Sequence, residues 1–155
     1  IRGVEADITI APYSLDGLTV SAAFSILDTE ITDILTPTND VVAGRSLAYA
    51  PSFQGNLRAR YEWEAFGDWT AHVQPQVTYS ASSATDIIEI NRITLDSWTT
   101  FGLSAGVTDN TWSFEVFGEN LTDERAETSG SFVYDRARIT VNRPLTVGAR
   151  ISFAY

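Results

Sequence analysis

The fold follows from an alternating pattern that is clearest in Phe53–Trp63, which reads FQGNLRARYEW. Every odd position in this segment is apolar, aromatic or glycine, and every even position is polar or charged. Side chains point alternately to the two faces of a β-strand, so a period of two predicts a strand with one apolar and one polar face. No helical period competes with it.

The same period recurs in six further segments, at Val4–Ile10, Leu18–Ile26, Trp69–Ser80, Phe101–Val107, Trp112–Val116 and Leu145–Tyr155. Pro75 and Phe117 depart from it, because proline has no N–H for the strand ladder and Phe117 places an apolar ring on a polar face. Short turns alternate with long polar loops near residues 35–45, 81–94 and 122–142. We therefore predict an all-β, antiparallel, up-and-down sheet of about seven strands.

Composition excludes several classes of function. The chain has 10 basic residues, all of them arginine, against 20 acidic ones, and its net charge of −10 argues against binding to nucleic acid. It contains no cysteine, which excludes disulfides, thiolate metal sites and cysteine nucleophiles. With a single histidine, a structural zinc site is not expected either. We predict no cofactor and no metal.

Two architectures fit these strands, a soluble β-sandwich and a transmembrane β-barrel. A sandwich core needs its bulk in the middle of each strand, whereas a membrane strand has an aliphatic middle and aromatic girdles at both interfaces. The apolar stretches run about ten residues, the length that a tilted strand needs to cross hydrocarbon. Trp63, Phe66, Trp69 and Trp112 flank the short turns, and Phe153 and Tyr155 end the chain at the same level. Phe53 and Tyr79 lie at the opposite ends of their strands. This distribution favours the barrel.

The number of predicted strands indicates whether they could close a barrel by themselves. In lipid every backbone N–H and C=O needs a partner, so strands persist only in a closed sheet, and bacterial barrels have an even count of at least eight. If the C-terminus is periplasmic, counting back seven strands puts the first strand's start at the extracellular end. We therefore expect residues 1–155 to be the C-terminal part of a larger barrel.

Two stretches carry a resemblance to a known family. Phe117–Arg125, FGENLTDER, resembles the segment that ends the penultimate strand of TonB-dependent outer-membrane receptors, and Asn142–Tyr155, NRPLTVGARISFAY, resembles their final strand. The resemblance implies a 22-stranded barrel in the Gram-negative outer membrane that imports a scarce nutrient such as a ferric siderophore, without enzymatic activity. It also implies that an N-terminal plug, earlier strands and the contact with TonB lie outside this chain.

The resemblance and the pattern together suggest site residues and partners. Candidate ligand contacts on the water-filled side are Arg58, Arg60, His72, Gln74 and Gln76. Phe153 and Tyr155 resemble the signal that the barrel assembly machinery recognises, and both also suit a lipid-facing girdle. The expected partners are outer-membrane lipids, the plug and TonB complex, the assembly machinery and a small-molecule ligand.

Each of these residues has a plainer interpretation. His72 fits a polar wall residue better than a ligand contact, and the arginines commonly pair with neighbouring acids. The acidic loop residues lack Ca²⁺-binding spacing and are interpreted as solvated charge. Asn120-Leu121-Thr122 matches a glycosylation sequon but fits a turn better. Two alternative functions remain open at this point, an outer-membrane barrel hydrolase with His72 as its base and a soluble β-sandwich binding module.

Overall fold

A computed structural model describes residues 1–35 and 38–154. Apart from one 3-10 turn at Glu89–Asn91, its regular structure is entirely strand. The strands, in chain order, are β1 (Arg2–Ile10), β2 (Leu18–Asp28), β3 (Phe53–Phe66), β4 (Trp69–Ser80), β5 (Ser83–Ala84), β6 (Thr94–Leu95), β7 (Trp98–Thr108), β8 (Trp112–Glu119), β9 (Glu127–Val133), β10 (Arg136–Val141) and β11 (Thr146–Phe153). Among these residues, no helix is long and apolar enough to span a membrane.

Seven strands form one antiparallel sheet in the order β1-β2-β3-β4-β7-β8-β11. Short turns join β1 to β2, β3 to β4 and β7 to β8 at one end, which we call the turn end. The long connections lie at the other end, the loop end. The prediction of an up-and-down antiparallel sheet of about seven strands is therefore confirmed. The sheet is open, because β1 pairs only with β2 and β11 only with β8.

Register keeps the apolar positions on one face across all seven strands. Val4 pairs with Ile26, Leu57 with Val77, and Phe153 with Trp112. Within residues 1–35 and 38–154 no second layer covers this face, since Trp63 is 42% and Val147 75% exposed. The β-sandwich alternative is therefore wrong, because its core would bury these side chains.

Pro75 lies inside the sheet rather than at an edge. The pairing of β3 with β4 passes from Arg58–Gln76 directly to Tyr61–Val73 without a change of register. The ladder has a gap at Pro75 because proline donates no hydrogen bond there. On the other side, Pro75 pairs normally with Leu103 of β7.

Two segments that the sequence pattern assigned to loops contain strands. Within 122–142, β9 and β10 form a hairpin whose turn residues Tyr134 and Asp135 both have positive φ, 51° and 59°. Within 81–94, β5 begins a two-residue pairing with β6. The most buried apolar side chains of the described residues lie largely here, since Leu95 is 2% and Ala126 1% exposed. The core of this chain is thus in its loops, and the sheet itself is a single layer.

Candidate functional site

The polar face of the sheet is the candidate site. By polar face we mean the side of the seven-stranded sheet that carries the even-numbered residues of β3 and β4, together with the residues that pair with them in the neighbouring strands. Cross-strand pairing arranges its side chains in rows that run perpendicular to the strands. One row near the turn end contains Glu62, His72, Gly106, Glu115 and Arg150, which are partners in successive strands.

His72, Glu115 and Arg150 form a hydrogen-bonded network in this row. His72 Nε2 lies 3.3 Å from Glu115 Oε2, and Arg150 Nη1 donates to Glu115 Oε1 at 2.5 Å. His72 reaches two strands across because Gly106 lies between them; a Cβ at Gly106 would be 2.8 Å from His72 Cε1. The His72 side chain is 5% exposed and that of Glu115 19%. Such an enclosed imidazole is badly placed to act as the base of a hydrolase.

Phe117 owes its position on the polar face to a glycine. Its cross-strand partner is Gly148, and a Cβ there would lie 2.5 Å from the Phe117 ring. The Arg150 guanidinium carbon lies 5.5 Å from the centroid of the same ring, within the range of a cation–π contact. The Phe117 ring covers the backbone at Gly148 and contacts the Arg150 guanidinium. These two contacts account for an apolar ring on the polar face.

The other candidate ligand contacts lie closer to the middle of the sheet. Arg60 Nε bonds to Glu62 Oε1 at 2.8 Å along the same strand. Gln76 lies over its partner Gly102, where a Cβ would be 2.5 Å from Gln76 Nε2, and Gln74 pairs with Ser104. Arg58 is exposed and has no ion-pair partner within residues 1–35 and 38–154. The fold thus brings Arg58, Arg60, His72, Gln74 and Gln76 to one face of β3 and β4.

A concavity of about 480 Å³ at the loop end was not anticipated from the sequence. We call it the loop-end trough, and its polar-face lining is Glu5, Asp7, Ala23, Ser25, Gln54, Asn56, Thr78, Ser80 and Trp98. Small side chains in β2 and β4 form its floor, with longer ones beside them. The trough could have been predicted only from the register of the sheet, since its residues come from five strands. No group of three or more potential metal ligands occurs in the part of the chain that the structure describes.

The two family-like stretches are bonded to each other. Asn120 is 7% exposed with a φ of 52°, and its Nδ2 donates to the carbonyl oxygens of Glu124 and Arg143, both at 2.9 Å. Its Oδ1 accepts from the Glu124 N–H at 2.9 Å. Asp123 Oδ1 accepts from the Leu145 N–H at 2.8 Å. Asn120 and Asp123 therefore hold the end of β8 against the start of β11, as the turn interpretation of this stretch requires.

At the turn end, aromatic rings lie side by side on the apolar face. Phe153 and Trp112 have ring centroids 4.7 Å apart, and Trp112 stacks on Phe114 at 5.9 Å. Trp69 continues the series at 5.8 Å from Phe114. Phe153 thus belongs to the predicted girdle, while Tyr155 lies outside the described residues.

The long connections pack together into a folded cap. Arg92 Nη1 donates to the carbonyl oxygens of Asp86 at 2.8 Å and Ser46 at 3.2 Å, and Nη2 to Ser46 Oγ at 2.9 Å. Tyr49 Oη donates to the Gly130 carbonyl at 2.9 Å. These bonds join all three loops at the loop end, next to the trough.

A single-layer meander with one apolar and one polar face, and with aromatic girdles, is the wall of a transmembrane β-barrel. The family comparison makes this more specific. The model of the family described as TonB dependent receptor-like, beta-barrel matches residues 1–121, and the chain belongs to this family. Its members are outer-membrane receptors for TonB-dependent transport, which interact with TonB and with a ligand. Searches of curated proteins and of solved structures found no match.

Proposed function

We propose that this chain forms the C-terminal part of a larger, 22-stranded receptor barrel in the bacterial outer membrane, which imports a scarce nutrient such as a ferric siderophore. The observation that carries the proposal is the apolar face that continues across all seven strands of the sheet. Within the described strands its one charged pair is Arg2–Asp28, 3.7 Å apart and at the loop end. Such a face suits contact with outer-membrane lipids.

The open edges support the larger barrel. The outer edges of β1 and β11 carry backbone groups without strand partners. In hydrocarbon each unpaired group costs several kcal/mol, so the edges need further strands to close the wall. Earlier strands of the same receptor would supply them, and a plug upstream of those strands would contact TonB. Phe153 and Tyr155 would present the signal for the barrel assembly machinery.

The polar face supports an anionic ligand. Arg58 projects into it without a hydrogen-bond or ion-pair partner among the residues that the structure describes, and guanidinium groups form strong charge-assisted hydrogen bonds with carboxylate or hydroxamate oxygens. Gln76, the cross-strand partner of Arg58, adds an amide that can bind the same ligand. His72 and Arg60 contribute less directly, because each already bonds to a glutamate.

Spin labelling of the receptor at its natural length in lipid bilayers tests the wall. Residues 1–155 contain no cysteine, so single cysteines introduced at Leu57 and Val73 on the apolar face, with Asn56 and Thr78 as matched polar-face controls, have no competing thiol within this part of the receptor, and any cysteine elsewhere in it is first replaced by serine. We expect oxygen to relax the first pair and a water-soluble nickel chelate the second. Equal access of the nickel chelate to all four positions would refute the proposal.

Uptake is tested in cells that depend on this receptor for a ferric siderophore. Arg58→Gln should slow uptake several-fold while leaving the amount of assembled receptor unchanged, because the guanidinium is exposed and unpaired in the wall. Glu64→Gln on the polar face at the turn end serves as a control. Uptake that is unaffected by Arg58→Gln would remove this arginine from the ligand path.

A further inference from the structure

We infer that the loop-end trough is a subsite for an uncharged, polyhydroxylated group, such as a sugar ring, at the outer end of the ligand path. The inference rests on the proposed function, because it requires the polar face to line the lumen. It adds a ligand class that differs from the anionic chelate expected at Arg58.

The register builds the trough from two adjacent rows. The first contains Glu5, Ser25, Gln54, Ser80 and Trp98, each the cross-strand partner of the one before it. The second pairs Asp7 with Ala23, Ala23 with Asn56, and Asn56 with Thr78. Because small side chains occupy β2 while longer ones stand on β1 and β3, the surface is concave. Its 480 Å³ lies within the range of small-molecule sites.

The four longest polar side chains of the trough have no partner among the described residues, whereas Ser80 Oγ donates to the Ala81 carbonyl. Among the described residues, the side chains of Glu5, Asp7, Gln54 and Asn56 form no hydrogen bond and no ion pair with the rest of the chain. They offer carboxylate acceptors and amides that both donate and accept. Sugar hydroxyls also donate and accept, so this set matches a ring carrying several hydroxyl groups.

Trp98 supplies the apolar part of the site. It is half-buried at the β7 end of the first row, and it takes no part in the ring contacts among the described aromatics. The partly exposed indole would offer the C–H face of a sugar the large and rigid apolar contact that aromatic side chains provide. The other tryptophans at strand ends lie on the apolar face, where they suit lipid.

Charge distinguishes this subsite from the rows nearer the turn end. The trough contains two carboxylates and no arginine, whereas Arg58 and Arg60 lie in the next rows of β3. An anionic chelate would be repelled by Glu5 and Asp7. No group of three or more potential metal ligands occurs among the described residues, so the trough has no carboxylate cluster for a metal cation. An uncharged polyol satisfies the groups without either conflict.

The test uses the receptor at its natural length in detergent, applied to an array of neutral oligosaccharides, acidic oligosaccharides and immobilised polyamines. We expect retention of neutral oligosaccharides and about a ten-fold loss of affinity in Trp98→Ala and in the Asp7→Ala, Asn56→Ala double variant. Trp112→Ala, which removes a tryptophan from the apolar face, is the matched control and should bind as the unmodified receptor does.

The inference fails if no neutral oligosaccharide is retained, if polyamines are retained instead, or if Trp98→Ala and Trp112→Ala bind equally. These results leave the spin-label experiment untouched, since that experiment reports which face meets lipid. Loss of the lipid-access pattern would remove the proposed function itself, and with it the premise of the subsite.

Discussion

Replacement of Glu115 tests whether the charged row on the polar face stabilises the sheet. Glu115 is the shared partner of His72 and Arg150, and the three side chains come from β4, β8 and β11. Their bonds therefore link the last two strands of the sheet to its centre. Glu115→Ala removes both contacts at once.

The magnitude follows from how exposed each partner is. Arg150 is 65% exposed, so its ion pair contributes at most about 1 kcal/mol. His72 is 5% exposed, and leaving its buried Nε2 without a partner costs about 1–3 kcal/mol. We expect Glu115→Ala to lower the free energy of unfolding by about 2–4 kcal/mol, while Glu115→Gln, which keeps a hydrogen-bonding group, costs about half as much.

Guanidinium unfolding of the detergent-folded receptor, followed by tryptophan fluorescence, measures these values. A cycle with His72→Ala isolates the pair, and we expect a coupling energy of about 1 kcal/mol or more. Glu119 lies on the same strand and face and has no side-chain partner in the described part of the chain, so Glu119→Ala should change stability by less than about 0.5 kcal/mol. Additive effects of His72→Ala and Glu115→Ala, within about 0.3 kcal/mol, would show that the His72–Glu115 pair contributes nothing.

Three further predictions concern other contacts. Gly106→Ala should destabilise the sheet by about 1–3 kcal/mol in the same unfolding assay, because its Cβ would lie 2.4 Å from the Phe114 carbonyl oxygen and 2.8 Å from His72; an unchanged or raised midpoint would contradict this. Asn120→Ala should reduce the heat-modifiable, assembled fraction on gels, because it removes two hydrogen bonds that fix the turn after β8 and one that ties this turn to Arg143 just before β11, and normal assembly would be the opposing result. Arg92→Leu should speed hydrogen exchange in residues 81–94 by releasing the loops it joins, whereas the exposed Arg125→Leu should not; equal exchange in both variants would argue against the folded cap.

The strand pattern was predictable because alternation is a local property. Trp69–Ser80 was predicted with both of its ends, and Leu18–Ile26 fell two residues short of β2. The β9–β10 hairpin was missed, because its turn residues Tyr134 and Asp135 lack the Asn-Gly or Asp-Gly signal that usually marks a turn with two positive φ angles.

The candidate site was predictable only in part. The alternation of polar and apolar residues placed five even-numbered residues on one face, and the structure agrees with that placement. They are Arg58, Arg60, His72, Gln74 and Gln76. Whether any of them binds a ligand stays a prediction. The sequence gives no sign that His72 contacts Glu115, 43 residues away, or that Gly106 clears the path between them.

By itself, the sequence determined the two faces of the sheet, the approximate positions of its seven strands and the resemblance to TonB-dependent receptors, because these depend on side-chain order along one strand. The tertiary structure alone determined the network around Glu115, the bonds of Asn120 and the loop-end trough. Each of these depends on register, since a shift of one residue between neighbouring strands would move every partner to the opposite face.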